Sequence, residues 1–181
     1  MDYIANEANI SKRTLYELFE DKEALLVEGL ELDFSTFCSW TNTLEKDAVS
    51  VIDVILVLYD EMLMKSRYYC NKFYDDMKKY PKAIEEKKRH HDHVKGIIGN
   101  WLDRGLKEGV FREDIDFSIL SLLAKRFMEK TTPSHQFEEH SYREIYSTIF
   151  MIFIRGICTA KGVAIIDNYV RKKKYEEILQ I

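Results

Sequence analysis

Lys12, Arg13, Thr14 and Tyr16 crowd two cations and two hydroxyls into one short stretch, a donor set suited to phosphate oxygens and base edges. Helical spacing puts Lys12, Arg13, Tyr16 and Glu17 at the first turn and outer face of a helix from Lys12 to Phe19. Leu15, Leu18 and Phe19 share its buried face. Ser11 can cap that helix by accepting the Thr14 backbone N–H, and Ile10 can pack on Leu15 as a hydrophobic staple. A further start follows at Glu20-Asp21-Lys22-Glu23, with Asp21 as cap and Lys22 exposed at the head of the next helix. Ile4 to Leu25 therefore reads as two short helices joined by a tight turn and followed by a third, the layout of a DNA-reading helix-turn-helix.

Other residues could do different chemistry, and each has a plainer use. Glu86, His90 and His93 lie one helical turn apart, with His91 beside them, and form the one conceivable metal constellation. Three ligands from adjacent turns would need others from elsewhere, so a solvated helix face is expected and no metal. The thiols Cys38, Cys70 and Cys158 could sense oxidants, but they read as buried apolar filler. There is no phosphate-cradling glycine motif, no G-x-S-x-G and no metal-hydrolase signature, so neither an enzyme nor a cofactor is expected.

The stretch Ile4-Ala5, Ala8-Asn9-Ile10-Ser11, Thr14-Leu15-Tyr16, Phe19, Lys22-Glu23 and Leu25 resembles the DNA-binding segment of the TetR family of transcription regulators. RGICTAKG near the C-terminus fits that family more loosely. The resemblance implies base-edge or phosphate contacts for Lys12, Arg13 and Thr14, and phosphate contacts for Tyr16 and Lys22, on a helix opened by Ser11. It departs in three places. Asn9 stands where the family often has glycine, and asparagine tolerates the left-handed backbone such a turn needs. Arg13 replaces a frequent glycine and Leu18 a usual His or Tyr, which implies a different operator. Met1 stands almost directly on what is the second helix in the family, so Ile4, Ala8, Leu15 and Phe19 are expected to lack part of their burial, at about 25 cal/mol per Å². Either the protein starts upstream or the DNA-binding domain is crippled.

Composition narrows the rest. The chain has 181 residues, a net charge of −4 and only 7 glycines and 2 prolines, which favours long helices over a many-turned β architecture. From Met1 to Lys22 three cations (Lys12, Arg13, Lys22) meet five anions (Asp2, Glu7, Glu17, Glu20, Asp21), so any nucleic-acid contact must be local. The odd, widely spaced cysteines and the lack of a signal peptide read as a cytoplasmic protein with reduced thiols.

An all-α fold is expected, with an incomplete helix-turn-helix and connecting helix over residues 1–43 and a larger helical ligand-binding and dimerisation domain over 44–181. The connecting helix, Asp21 to about Thr43, carries no linker break. Ala48, Val51, Ile52, Ile55, Leu58, Tyr59 and Met62 hold helical spacing despite many β-branched neighbours. A short helix is expected over Ser66–Tyr80. A long one from Pro81 to about Glu108 would carry Ile84, Lys88, His91, Ile98, Trp101 and Leu102 inward and stop at Gly109. Further helices are expected over Asp116–Lys130, from Ser141 through an S-x-x-E capping box, and over Lys161–Ile178.

Ile149 to Ile154 is apolar on every side yet well short of the roughly 20 residues a membrane span needs. It is expected to be buried on one face by its own protomer and on the other by a second copy. With the Asp116–Lys130 helix it resembles the family's dimerising pair, giving an interface of Leu120, Ile149, Phe150, Phe153, Ile154 and Ile157. Phe34, Phe37, Tyr59, Met62, Phe73, Trp101 and Phe127 come from helices that surround a small-molecule cavity in similar proteins. The expected partners are thus a near-palindromic double-stranded DNA, a small apolar effector and a second copy, with no membrane. The alternative is a dimeric small-molecule-binding protein whose DNA-reading module is truncated and inactive.

Overall fold

In a computed structural model that describes residues 1–65, 76–131 and 139–179, Asn9 makes the first turn. Its φ of 53° is the left-handed conformation asparagine tolerates, and it lets the chain reverse between α1 (Asp2–Glu7) and α2 (Lys12–Leu18). The Ser11 hydroxyl caps α2 by accepting from the Thr14 N–H at 3.0 Å. The Asp21 carboxylate caps α3 (Lys22–Asp47) by accepting from Ala24 N–H at 2.8 Å. Both caps satisfy orphan donors of a first helical turn.

Five more helices follow among the described residues: α4 (Val51–Lys65), α5 (Pro81–Lys107), α6 (Phe117–Thr131), α7 (Tyr142–Ile157) and α8 (Ala160–Leu179). No sheet forms among them; the one extended pairing is an isolated antiparallel bridge between Phe111 and Cys158. Asp116 caps α6 through the N–H groups of Ser118 and Ile119, at 2.9 and 3.1 Å. Ser141 and Glu144 form the reciprocal capping box of α7. Gly109, with φ of 67°, ends α5 as the sequence predicts.

The helix α3 runs four residues beyond the expected Thr43, because Trp40 and Leu44 continue its apolar face onto the core. It stops where the Arg104 guanidinium donates to the Glu45 and Ala48 carbonyls, at 3.3 and 3.0 Å. The expected helix over Ser66–Tyr80 lies largely outside the described residues; its end, Asp76 to Tyr80, is a helical turn with Met77 buried.

At the centre, α4 packs against α3, α5, α7 and α8. Val51, Ile52, Val54 and Leu56 are fully buried there, so tertiary burial outweighs the β propensity of the sequence. Tyr169 of α8 donates to Asp60, and Lys173 pairs with the same carboxylate at 2.7 Å, fastening α8 to α4. No helix among the described residues is long and apolar enough to cross a membrane.

Two expected faces differ. Leu18 is 66% exposed while Leu15 is 3% exposed, because α2 packs mainly on α1 and only Leu15 points into that contact. In the first half of α5, Ile84, Lys88 and His91 are exposed, and Ala83 and His90 are buried instead. The buried line is set by carboxylates on α3 that take His90, described below.

Candidate ligand cavity and nucleic-acid interface

The start of α2 presents Ser11, Lys12, Arg13, Thr14 and Tyr16 to solvent. Their partners are local. Lys12 Nζ is 2.8 Å from Asp2 Oδ1, Arg13 Nε is 2.9 Å from Glu17, and the Ser11 and Thr14 hydroxyls are 2.8 Å apart. The hydrogen bond from Lys12 holds the Asp2 carboxyl below its usual range and raises the Lys12 ammonium correspondingly. Such exposed pairs contribute little and exchange readily for another anion. Lys22 is elsewhere: its ammonium lies 5.4 Å from the centre of the Tyr80 ring, and it borders a groove with Ile4, Leu25, Leu26 and Met77.

A second feature lies in the larger helical body. A cavity of about 410 Å³ opens between α3, α4, α5, α6 and α7. Tyr59 forms one wall. Its ring stacks on Phe150 at 4.4 Å and on Tyr146 at 6.2 Å, and its hydroxyl is 2.5 Å from Ser147 Oγ. Phe37 enters from α3, Trp101 and Ile98 from α5, Phe111 from the link after α5, and Ser121 from α6. Among the described residues no charged side chain lines the space, and a carboxylate or ammonium placed against them would have no partner to offset its desolvation.

Of the aromatic residues expected at a ligand site, Phe37, Tyr59, Met62 and Trp101 line this cavity. Phe34 does not; its ring stacks on His90 at 3.9 Å. Phe73 and the side chain of Phe127 lie outside the described residues. Leu120, Phe150, Phe153, Ile154 and Ile157, expected between two copies, also line the cavity, and Ile149 is half-buried. In the same pair of helices the large apolar side chains left to solvent, among the described residues, are Ile119, Leu122, Leu123 and Ile152. The reason is rotational: α7 turns Ile154 and Ile157 toward α4, which leaves Ile152 outward. Sequence reasoning missed Phe111 and Tyr146. Tyr146 could have been found from its i, i+4 relation to Phe150; Phe111, in a polar link, carried no periodic signal.

The histidine constellation assembles differently from its sequence spacing. His90 Nε2 is 3.0 Å from Glu31 on α3 and 2.6 Å from Glu86, while His93 meets the edge of the Phe34 ring at 5.3 Å. Arg89 already supplies a cation to both carboxylates, 2.5 Å from Glu31 and in contact with Glu86. That hydrogen bond holds the Glu86 carboxyl below its usual range. The cluster is thus an ion network joining α3 to α5. Burial pushes the Cys158 thiol up to about 11 and also raises Cys38, so neither is poised as a thiolate; Cys70 lies outside the described residues.

A short helix pair, a long connecting helix and an apolar cavity in a larger body, all helical among the described residues, make up a TetR-like fold. The ketosteroid transcriptional regulator KstR2 of Mycobacterium tuberculosis, a TetR-family protein, matches it over 87% of this chain and 84% of its own, with a TM-score of 0.54 and 17% sequence identity. No protein-family model matches the sequence, and neither does any curated protein. At that identity the likeness establishes the fold.

Proposed function

We propose that this chain is a DNA-binding transcriptional regulator that acts as a homodimer and is released from a near-palindromic operator by an uncharged, largely apolar effector. The observation that carries this reading is α3. It begins after only three intervening residues beyond the exposed α2, runs 26 residues without a break, and delivers Phe37 into the cavity wall. A continuous helix can pass a displacement from one end to the other. Two copies of α2 would enter major grooves about 34–36 Å apart. The KstR2 name speaks of ketosteroids; a flat, uncharged molecule of that kind suits a cavity walled by Tyr59, Phe150 and Trp101, with Ser121 as a polar group for orientation.

The test is binding to the DNA flanking its own gene at two salt concentrations. Saturable, sequence-selective binding is expected. Lys12→Ala should weaken it on every sequence and lower the salt slope by about 1; unchanged affinity and slope would remove Lys12 from the interface. Tyr16→Ala should likewise weaken binding.

Dimerisation is expected through the outward face of α6 and α7, where Leu122 is 58% and Ile152 65% exposed. An apolar patch of this kind marks an interaction surface. Leu122→Glu should shift the mass measured by light scattering from dimer to monomer, and should weaken operator binding as the second half-site contact is lost. A persistent dimer would move the interface elsewhere.

One observation favours a second reading, a dimeric small-molecule-binding protein that does not read DNA. Lys12 and Arg13 are each paired with a carboxylate, Asp2 and Glu17. Retained effector binding with no DNA binding at low salt would establish it.

A further inference from the structure

The polar contacts between α3 and α5 keep nearly one sequence offset from end to end. Glu23 accepts from the Lys82 N–H at 2.8 Å, a separation of 59 residues. Glu31 takes Arg89 and His90, 58 and 59 residues on. Glu45 accepts from Trp101 Nε1, 56 residues on. The Ala48 carbonyl accepts from Arg104, again 56 residues on. A constant offset means the two helices run parallel and side by side. In this ladder α3 supplies the acceptors and α5 the donors, so the rungs set the register of one helix along the other.

One rung differs from the rest because it reaches the cavity. The Trp101 indole lines the cavity wall, is 8% exposed and spends its single N–H on Glu45. The other rungs have no cavity-lining member. A molecule that presses on the indole must either leave that hydrogen bond intact or break it, and a buried indole N–H without a partner is costly. Rotating the indole and shifting α3 to follow its acceptor are therefore coupled. The start of α3, next to α2, is held by the Glu23 and Glu31 rungs, which must yield in turn.

We infer that the Glu45–Trp101 hydrogen bond is the contact through which cavity occupancy reaches α3, with Trp101 touching the effector and Glu45 acting as a positioning residue behind it. This rests on the reading of the cavity as the effector site. A signal needs a two-state element that both sites bias, and the register of α3 on α5 is that element. Glu45→Leu removes the acceptor without touching the cavity wall, and Glu45→Gln keeps an acceptor oxygen.

The experiment uses the full chain and the uncharged apolar probe N-phenyl-1-naphthylamine. Probe affinity is read by fluorescence, and hydrogen exchange is followed along Lys22 to Ser35, the half of α3 that supplies no residue to the cavity wall. Probe binding is expected to change exchange there in the wild type. With probe at a saturating concentration for each protein, the exchange response in Glu45→Leu should fall at least about fivefold; Glu45→Gln should respond as the wild type does. An undiminished response in Glu45→Leu overturns the inference. So does wild-type binding with no response in α3, which leaves the cavity as an effector site coupled by another route. Absence of saturable binding to the wild type instead removes the cavity reading, and the inference with it.

Discussion

Glu108→Ala will lower the stability of the fold by about 2–4 kcal/mol, measured as a shift in the urea unfolding midpoint at pH 7. One carboxylate ties three helices together. Its Oε2 accepts from the Ser50 hydroxyl at 2.8 Å and the Val51 N–H at 3.0 Å, which caps α4. Its Oε1 accepts from Arg104 Nε at 2.6 Å. Arg104 in turn donates to the Glu45 and Ala48 carbonyls that end α3. Alanine leaves two donors at the head of the central helix without their acceptor, and part of a guanidinium without its counter-charge. A loss below about 0.5 kcal/mol would mean that water replaces the carboxylate at no cost, as at ordinary surface sites.

The same group predicts a pH dependence with a definite sign. Burial acts to raise the Glu108 pKa, but the bonds from Val51, Ser50 and Arg104 together bring it below its ordinary value of 4.5. A carboxylate with a depressed folded-state pKa contributes stability that is fully present above the unfolded value and is lost as pH falls through the folded one. The wild type should therefore lose stability below about pH 4.5. Asp116, held low by the Ser118 hydroxyl and the N–H groups it caps, and Glu144, held low by Ser141, shift in the same direction. Comparison with Glu108→Gln isolates one contribution: the gap between the two proteins should be largest at pH 7 and shrink at pH 4. A gap that stays constant would remove the ionised carboxylate as the cause.

Gly105→Ala is expected to damage stability and ligand binding together. A Cβ at Gly105 would overlap three atoms of the Phe111 ring, which is buried and forms part of the cavity wall. Such overpacking costs about 1–3 kcal/mol, less the roughly 1 kcal/mol that alanine gains over glycine inside a helix. A fall of up to roughly 8 °C in Tm follows for a chain of this size. The ring can escape by tilting into the cavity, so apolar-probe affinity should drop about tenfold as well, a change of about 1.4 kcal/mol. Adding Phe111→Leu should restore stability to the Gly105→Ala protein, because the two changes share one contact and do not add. Loss of stability with unchanged probe affinity would show that the ring moves away from the cavity.

The helix ends were legible from short range. Ser11 with Thr14, Asp21 with Ala24, and Ser141 with Glu144 each join partners three residues apart, so their hydrogen bonds form wherever the helix lies. The exposed polar start of α2 was legible for the same reason. Phe37, Tyr59, Met62 and Trp101 were readable as wall candidates because they come from helices that surround a small-molecule cavity in the proteins the sequence resembles. Phe34 met the same criterion and instead covers His90; a one-dimensional period does not say which of two adjoining interiors a side chain enters. Ile154 and Ile157 illustrate the limit again, since an all-round apolar stretch leaves its own rotation undetermined until α4 packs against it.

The sequence by itself determined most of the described helices, their caps and turns, and the two short helices at the start, because those depend on groups a few residues apart. Only the tertiary structure decided which apolar face closes on a cavity, which faces solvent, and which carboxylate on α3 meets which donor on α5. Those partners stand 56 to 59 residues apart. No local pattern encodes such a meeting; it follows from how whole helices pack.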